Sequence, residues 1–144
     1  MTFGAGITTG GISTTSGNPP NCLFARAVNN TTEAFAISGN KYITCTVTPG
    51  STLSFKSISF DYSRDSSASA TNFSVRSSAD NYAATIGSGT LTALNSWTAA
   101  EIDLSSVAAL QNVSTAKTFR IYFWGGTDQT TVTRFDNIKV KTGP

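Results

Sequence analysis

The segment Thr118-Phe-Arg-Ile-Tyr-Phe-Trp124 alternates without a break, with Phe119, Ile121 and Phe123 on one side and Thr118, Arg120, Tyr122 and Trp124 on the other. Successive side chains of a strand point to opposite faces. The first set therefore predicts a core face, and the second an outer face carrying a cation, a phenol and an indole. The same two-residue period recurs upstream. Ile58, Phe60 and Tyr62 oppose Ser57, Ser59, Asp61 and Ser63; Phe73 and Val75 oppose Asn72, Ser74 and Arg76; Ile102 and Leu104 oppose Glu101 and Asp103.

Turn residues cut these runs at fairly regular intervals, and the pattern predicts strands over 22–28, 41–47, 52–64, 72–78, 83–90, 98–104, 118–124 and 132–141. A further strand is expected if 34–37 or 3–8 joins the sheet. Pro49-Gly50, Gly87-Ser-Gly89 and Gly125-Gly126 supply the fixed or positive φ that reversals need. The only helical element expected is a turn over 104–111 capped by Ser105 or Ser106. Residues 1–20 read as mostly loop or a weak edge strand, and 142–144 as the start of a linker. The fold class that follows is all-β, a two-sheet antiparallel β-sandwich, as a single module over 1–144.

Composition narrows the class. Ser and Thr together exceed a quarter of the 144 residues, and charged residues are only 12%, about half the usual share. That balance suits an exported β-protein, extracellular or at the cell surface. The 39% of hydrophobic residues fall in regular runs, which argues against disorder. A net charge of +2 with no polybasic run predicts neither nucleic acid nor anionic membrane as a partner, and no apolar stretch approaches the ~18 residues of a span. The opening Met1-Thr-Phe-Gly-Ala-Gly has neither the basic start nor the apolar core of a signal peptide, so a mature or excised domain is expected. Cys22 and Cys45 fall in two predicted strands, which leaves open a disulfide or two buried thiols. Two cysteines without histidine cannot make a conventional zinc site.

The runs Phe60-Asp-Tyr-Ser-Arg64, Phe73-Ser-Val-Arg-Ser-Ser-Ala-Asp80, Trp97 with Ile102-Asp-Leu-Ser105, Phe119-Arg-Ile-Tyr122 and Phe135-Asp-Asn-Ile138 together resemble a jelly-roll module of exported bacterial proteins. Such modules are similar in architecture to the carbohydrate-binding modules appended to polysaccharide-degrading enzymes. The resemblance spans roughly 41–140. It implies an internal packing role for Trp97. It also implies that Asp136 holds a structural calcium together with N-terminal backbone oxygens; the alternative is that Asp136 pairs with Arg134 or caps a bulge, which would put Phe135 out of phase with Ile138 and Val140. No other cofactor is expected.

Large aromatics on the outer face of a sheet call for a ligand. A pyranose ring offers a face of C–H groups that stacks on an aromatic plane while flanking charges bond its hydroxyls. If the strands share one sheet, that face carries Asp61, Arg76, Glu101, Asp103, Arg120, Tyr122 and Trp124, with Tyr82 in a nearby turn. The expected partner is a polysaccharide, bound by a monomer tethered to other domains. The competing expectation is a structural or adhesive spacer with no glycan ligand, its opposite charges merely paired across the sheet. Catalysis finds little footing. Without histidine there is no Ser-His-Asp triad, and the Glu101 and Asp103 pair has the spacing of glycosidase carboxylates but no enclosing cleft to raise one pKa. The acceptor patterns at Asn29, Asn30, Asn72 and Asn112 discriminate nothing in a chain so rich in Ser and Thr.

Overall fold

A computed structural model describes residues 1–17, 20–27, 32–128 and 130–144; Val28, Asn29 and Asn30 lie outside them. Two five-stranded antiparallel sheets pack as a sandwich, confirming the all-β expectation. Sheet A has the order β1 (Thr2–Phe3), β4 (Tyr42–Val47), β9 (Lys117–Trp124), β6 (Asn72–Ser77), β7 (Gly87–Thr90). Sheet B has the order β2 (Ile7–Gly17), β3 (Pro20–Ala27), β10 (Thr133–Gly143), β5 (Ser54–Arg64), β8 (Thr98–Asp103).

The alternating sets fall as their period demands. Phe119, Ile121, Phe123, Phe73 and Val75 from sheet A meet Ile58, Phe60, Tyr62 and Phe135 from sheet B, all buried. Aromatic pairs tie the layers edge to face: Phe60 with Phe73 at 5.0 Å, and Phe55 with Phe119 at 5.4 Å between ring centroids. Each such pair is worth about 0.5–1.5 kcal/mol beyond its burial. Two register shifts re-phase β10 against β5, between Asp136 and Lys139 and between Lys141 and Thr142. Asn137 sits at φ 47° in the first, and Asp136 Oδ1 accepts its backbone N–H at 2.7 Å. This bulge lets Phe135 and Val140 both face inward although they lie five positions apart.

Residues 1–20 contain an eleven-residue strand, β2, at the edge of sheet B, the second of the two forms expected there. Two expectations need correcting. Residues 83–90 shorten to the four of β7. The run at 34–37 is not a strand but part of a helix, α1 (Glu33–Ser38), whose start is capped by Thr32 Oγ1 accepting from Phe35 N at 3.3 Å. A four-residue apolar run reads equally as a buried strand; the cap and the helix-forming alanines decide otherwise. The helix lies against β9 with Ala36 fully buried. The expected turn over 104–111 is a short 3₁₀ turn at Ala108–Leu110, without a side-chain cap.

Candidate functional site

The outer face of sheet A carries Arg76, Arg120, Tyr122 and Trp124, as alternation required, but it is not an open surface. Register sets Tyr122 between Tyr42 and Ser74, and Arg120 between Thr44 and Arg76. Tyr122 is 1% exposed and Ser74 0%, on the sheet face where α1 packs against β9. The Arg120 guanidinium is held between two rings, 3.6 Å from the Tyr82 centroid and 4.4 Å from that of Tyr42, and Arg120 Nη1 donates to the Tyr122 hydroxyl at 3.4 Å. Burial opposes the Arg120 charge, but the Tyr122 hydroxyl and the surrounding phenols outweigh it and push the pKa further up. Arg76 is equally engaged. Its Nη1 donates to the Tyr82 and Ala83 carbonyls at 2.9 Å each, its Nε donates to Thr85 Oγ1 at 3.2 Å, and its Nη2 faces Glu33 Oε1 of α1 at 3.8 Å. Two like charges opposite each other on neighbouring strands would destabilise the pair; here one is neutralised by Glu33 and the other dispersed over phenol rings. This cluster is internal packing, which binds the 78–86 loop and α1 onto β9.

The residues expected on one surface are thus divided. Asp61, Glu101 and Asp103 belong to β5 and β8 of sheet B, on the far side of the sandwich from Arg76 and Arg120, so they cannot serve one ligand together. Tyr122 is buried and cannot stack on a sugar, and the Tyr82 ring is already used on Arg120. Trp124 stays half-buried at the end of β9, opposite Asn72, where Gly125 turns at φ +86°. Glu101 and Asp103 are both exposed. Hydrogen bonds from Ser57 and Lys141 hold the Glu101 carboxyl below its usual range, and those from Ser105 do the same for Asp103, the wrong direction for a general acid.

Cys22 and Cys45 are both free thiols, in strands of opposite sheets, which corrects the disulfide option. Burial, the largest cause, pushes both upward in pKa. The Asp136 carboxylate accepts the Asn137 backbone N–H at 2.7 Å and so caps the bulge, and the neighbouring Asp61 carboxylate accepts Asn137 Nδ2 at 2.8 Å. Among the described residues no group of three or more His, Cys, Asp or Glu could hold a metal ion, and a calcium at Asp136 would draw most of its six to eight oxygens from the backbone.

A different arrangement occupies the outer face of sheet B. Register runs Trp97, Ser63, Arg134, Phe24 and Gly11 in one transverse row across β8, β5, β10, β3 and β2; the Trp97 place extends the Tyr62 to Thr98 pairing by one residue. Neither Trp97 nor Phe24 belongs to the core or packs against it. Trp97, Ser63, Arg134, Asn95, Ser16 and Gly17 line an open polar groove of about 340 Å³. Next to Arg134 in the row, outside the groove's lining, the Phe24 ring lies over Gly11, where a Cβ would come within 3.2 Å of the ring. The absent side chain lets the phenyl rest along the edge strand. The packing role implied for Trp97 is therefore corrected. Its own strand carried the signal, because positions 97, 99, 101 and 103 share the phase opposite to Ile102 and Leu104. Phe24 left no such trace, since Cys22-Leu-Phe-Ala25 does not alternate.

No family model matches the chain, and no curated protein matches it. Solved structures do. A protein of Bacteroides thetaiotaomicron described as a candidate sugar-binding protein is similar over 95% of this chain and 83% of its own, with TM-score 0.61 and 14% identity. The family 11 carbohydrate-binding module of Clostridium thermocellum, solved with a β-1,3-1,4-mixed-linked tetrasaccharide, is similar over 92% and 81%, with TM-score 0.52 and 17% identity. The K1 cleaved adhesin domain of Lys-gingipain from Porphyromonas gingivalis is similar over 96% and 80%, with TM-score 0.54 and 14% identity. The chain has the jelly-roll fold of carbohydrate-binding modules and adhesin domains. No described helix is long and apolar enough to cross a membrane.

Proposed function

We propose that this protein is a non-catalytic glycan-binding module of a larger exported protein, and that its ligand lies in the groove on the outer face of sheet B. The observation that carries the reading is the transverse row Trp97, Ser63, Arg134, Phe24. It places two aromatic side chains outside the core, with a hydroxyl and a guanidinium between them. Aromatic planes offer stacking surfaces to sugar rings, and the polar pair offers hydrogen bonds to hydroxyls. The open shape implies modest affinity, micromolar or weaker, because polar groups return much of their gain as desolvation cost.

Affinity electrophoresis in gels cast with a panel of soluble polysaccharides tests this. Retardation by at least one glycan, lost in Trp97→Ala with the thermal transition unchanged, is the expected result. Migration unaltered by every glycan would leave the second reading, an adhesive or structural spacer. The similarity to adhesin domains supports that alternative.

A further inference from the structure

Arg134 stands apart from the other arginines. Arg64 spends its guanidinium on the Leu91, Ser67 and Ser69 carbonyls, Arg76 on Tyr82, Ala83 and Glu33, and Arg120 on two phenol rings and a hydroxyl. Arg26 also has a partner. Arg134 has no hydrogen bond or ion pair among the described residues, although it lines the groove between Ser63 and Phe24. The acids that share its face do not claim it. Asp61 Oδ2 accepts from Asn137 Nδ2 at 2.8 Å and Asp136 Oδ1 from Asn137 N at 2.7 Å, so both are turned to the bulge.

A half-buried guanidinium in a groove, with its planar fork unspent, matches a bidentate anion better than a hydroxyl. The spacing adds a direction. Trp97 and Phe24 lie three strand intervals apart, about 14 Å at ~4.8 Å each, with Arg134 one interval from Phe24 and two from Trp97. A ligand that touches both rings must run across the strands and pass over Arg134.

Resting on the glycan reading above, the geometry points to an acidic polysaccharide as the ligand class, its chain crossing the strands of sheet B and a carboxylate or sulfate substituent paired with Arg134. The anionic group supplies two acceptor oxygens to the guanidinium, and the flanking rings hold neighbouring sugars.

Titration calorimetry on the whole chain, with a polyuronate and its carboxyl-reduced form and with a sulfated glycan and its desulfated form, tests it. The expected result is that the acidic member of one pair binds about tenfold or more tighter than its neutral counterpart, the scale of a charge-assisted hydrogen bond. Which pair shows the preference identifies carboxylate or sulfate. Arg134→Gln should erase the preference, whereas Lys117→Gln, which removes the same charge from sheet A, should retain it. Arg134→Lys, keeping charge without the fork, should lose most of it, and serves if Arg134→Gln fails to fold. Equal binding of acidic and neutral chains, or a preference lost equally in Lys117→Gln, overturns the inference while Trp97-dependent binding still stands. Binding of none of the four chains, together with no retardation across the electrophoresis panel, overturns the glycan reading as well.

Discussion

The outer faces of the two sheets carry similar chemistry in different surroundings. Sheet A presents Tyr42, Arg120, Tyr122 and Arg76, and closes them under α1 and the Tyr82 loop, so that each of these four has found a partner within the chain. Sheet B presents Trp97, Arg134 and Phe24 half-buried, with Trp97 and Arg134 lining an open groove. An aromatic–arginine array is thus a packing device where another element covers it, and under the proposed function the array of sheet B is the one left open to a ligand. Residue type alone does not separate the two cases; cover does.

The sharpest test of that contrast is Tyr122→Ala. An aromatic-to-alanine change at a fully buried position costs about 3–5 kcal/mol, and for a chain of this size the thermal midpoint should fall on the order of 10 °C, with glycan retardation of the folded protein intact. Calorimetry and affinity electrophoresis on one preparation check both halves. A stable variant that no longer binds would move recognition back to sheet A. Next in size, Tyr82→Ala removes one wall of the Arg120 stack and should lower stability by about 1–2 kcal/mol in urea unfolding, again without touching binding. On the other face the pattern should invert: Phe24→Ala is expected to change the unfolding free energy in urea by less than ~1 kcal/mol yet weaken retardation measurably. Equal effects of Tyr82→Ala and Phe24→Ala on binding would dissolve the distinction.

The smallest effect concerns Glu101. Its folded pKa lies below the ordinary 4.5 because Ser57 and Lys141 hold the carboxylate, so the native state binds fewer protons there than the unfolded chain. The resulting stabilisation is fully present above that value and is lost as pH falls through the lowered one. Unfolding followed between pH 6 and pH 2 should therefore show a shallower acid loss for Glu101→Gln than for the parent. An identical slope would mean that the Ser57 and Lys141 contacts contribute nothing in solution.

The core was legible because period two is a local property. Phe119, Ile121 and Phe123, and Ile58, Phe60 and Tyr62, point inward as their spacing required. What alternation cannot tell is which sheet a strand joins, and this is why Asp61, Glu101 and Asp103 were grouped with Arg76 and Arg120. It also cannot tell which outer face another element will cover: Tyr122 has the phase of an exposed residue and is buried by what packs over it. Helix α1 was hidden for a third reason, since Ala34-Phe-Ala-Ile37 is too short to display either period. Trp97 shows its outward phase in the sequence, and the packing role that the resemblance implies runs against the strand's own pattern.

The pair of unbridged thiols has a practical corollary. Cys22 is 1% exposed, burial raises both sulfhydryls, and the two lie on strands of opposite layers. A neutral, shielded thiol alkylates slowly until its strand is released. Cys22 is therefore a built-in reporter of local opening in sheet B, with the half-buried Cys45 of sheet A as the more accessible reference in the same molecule.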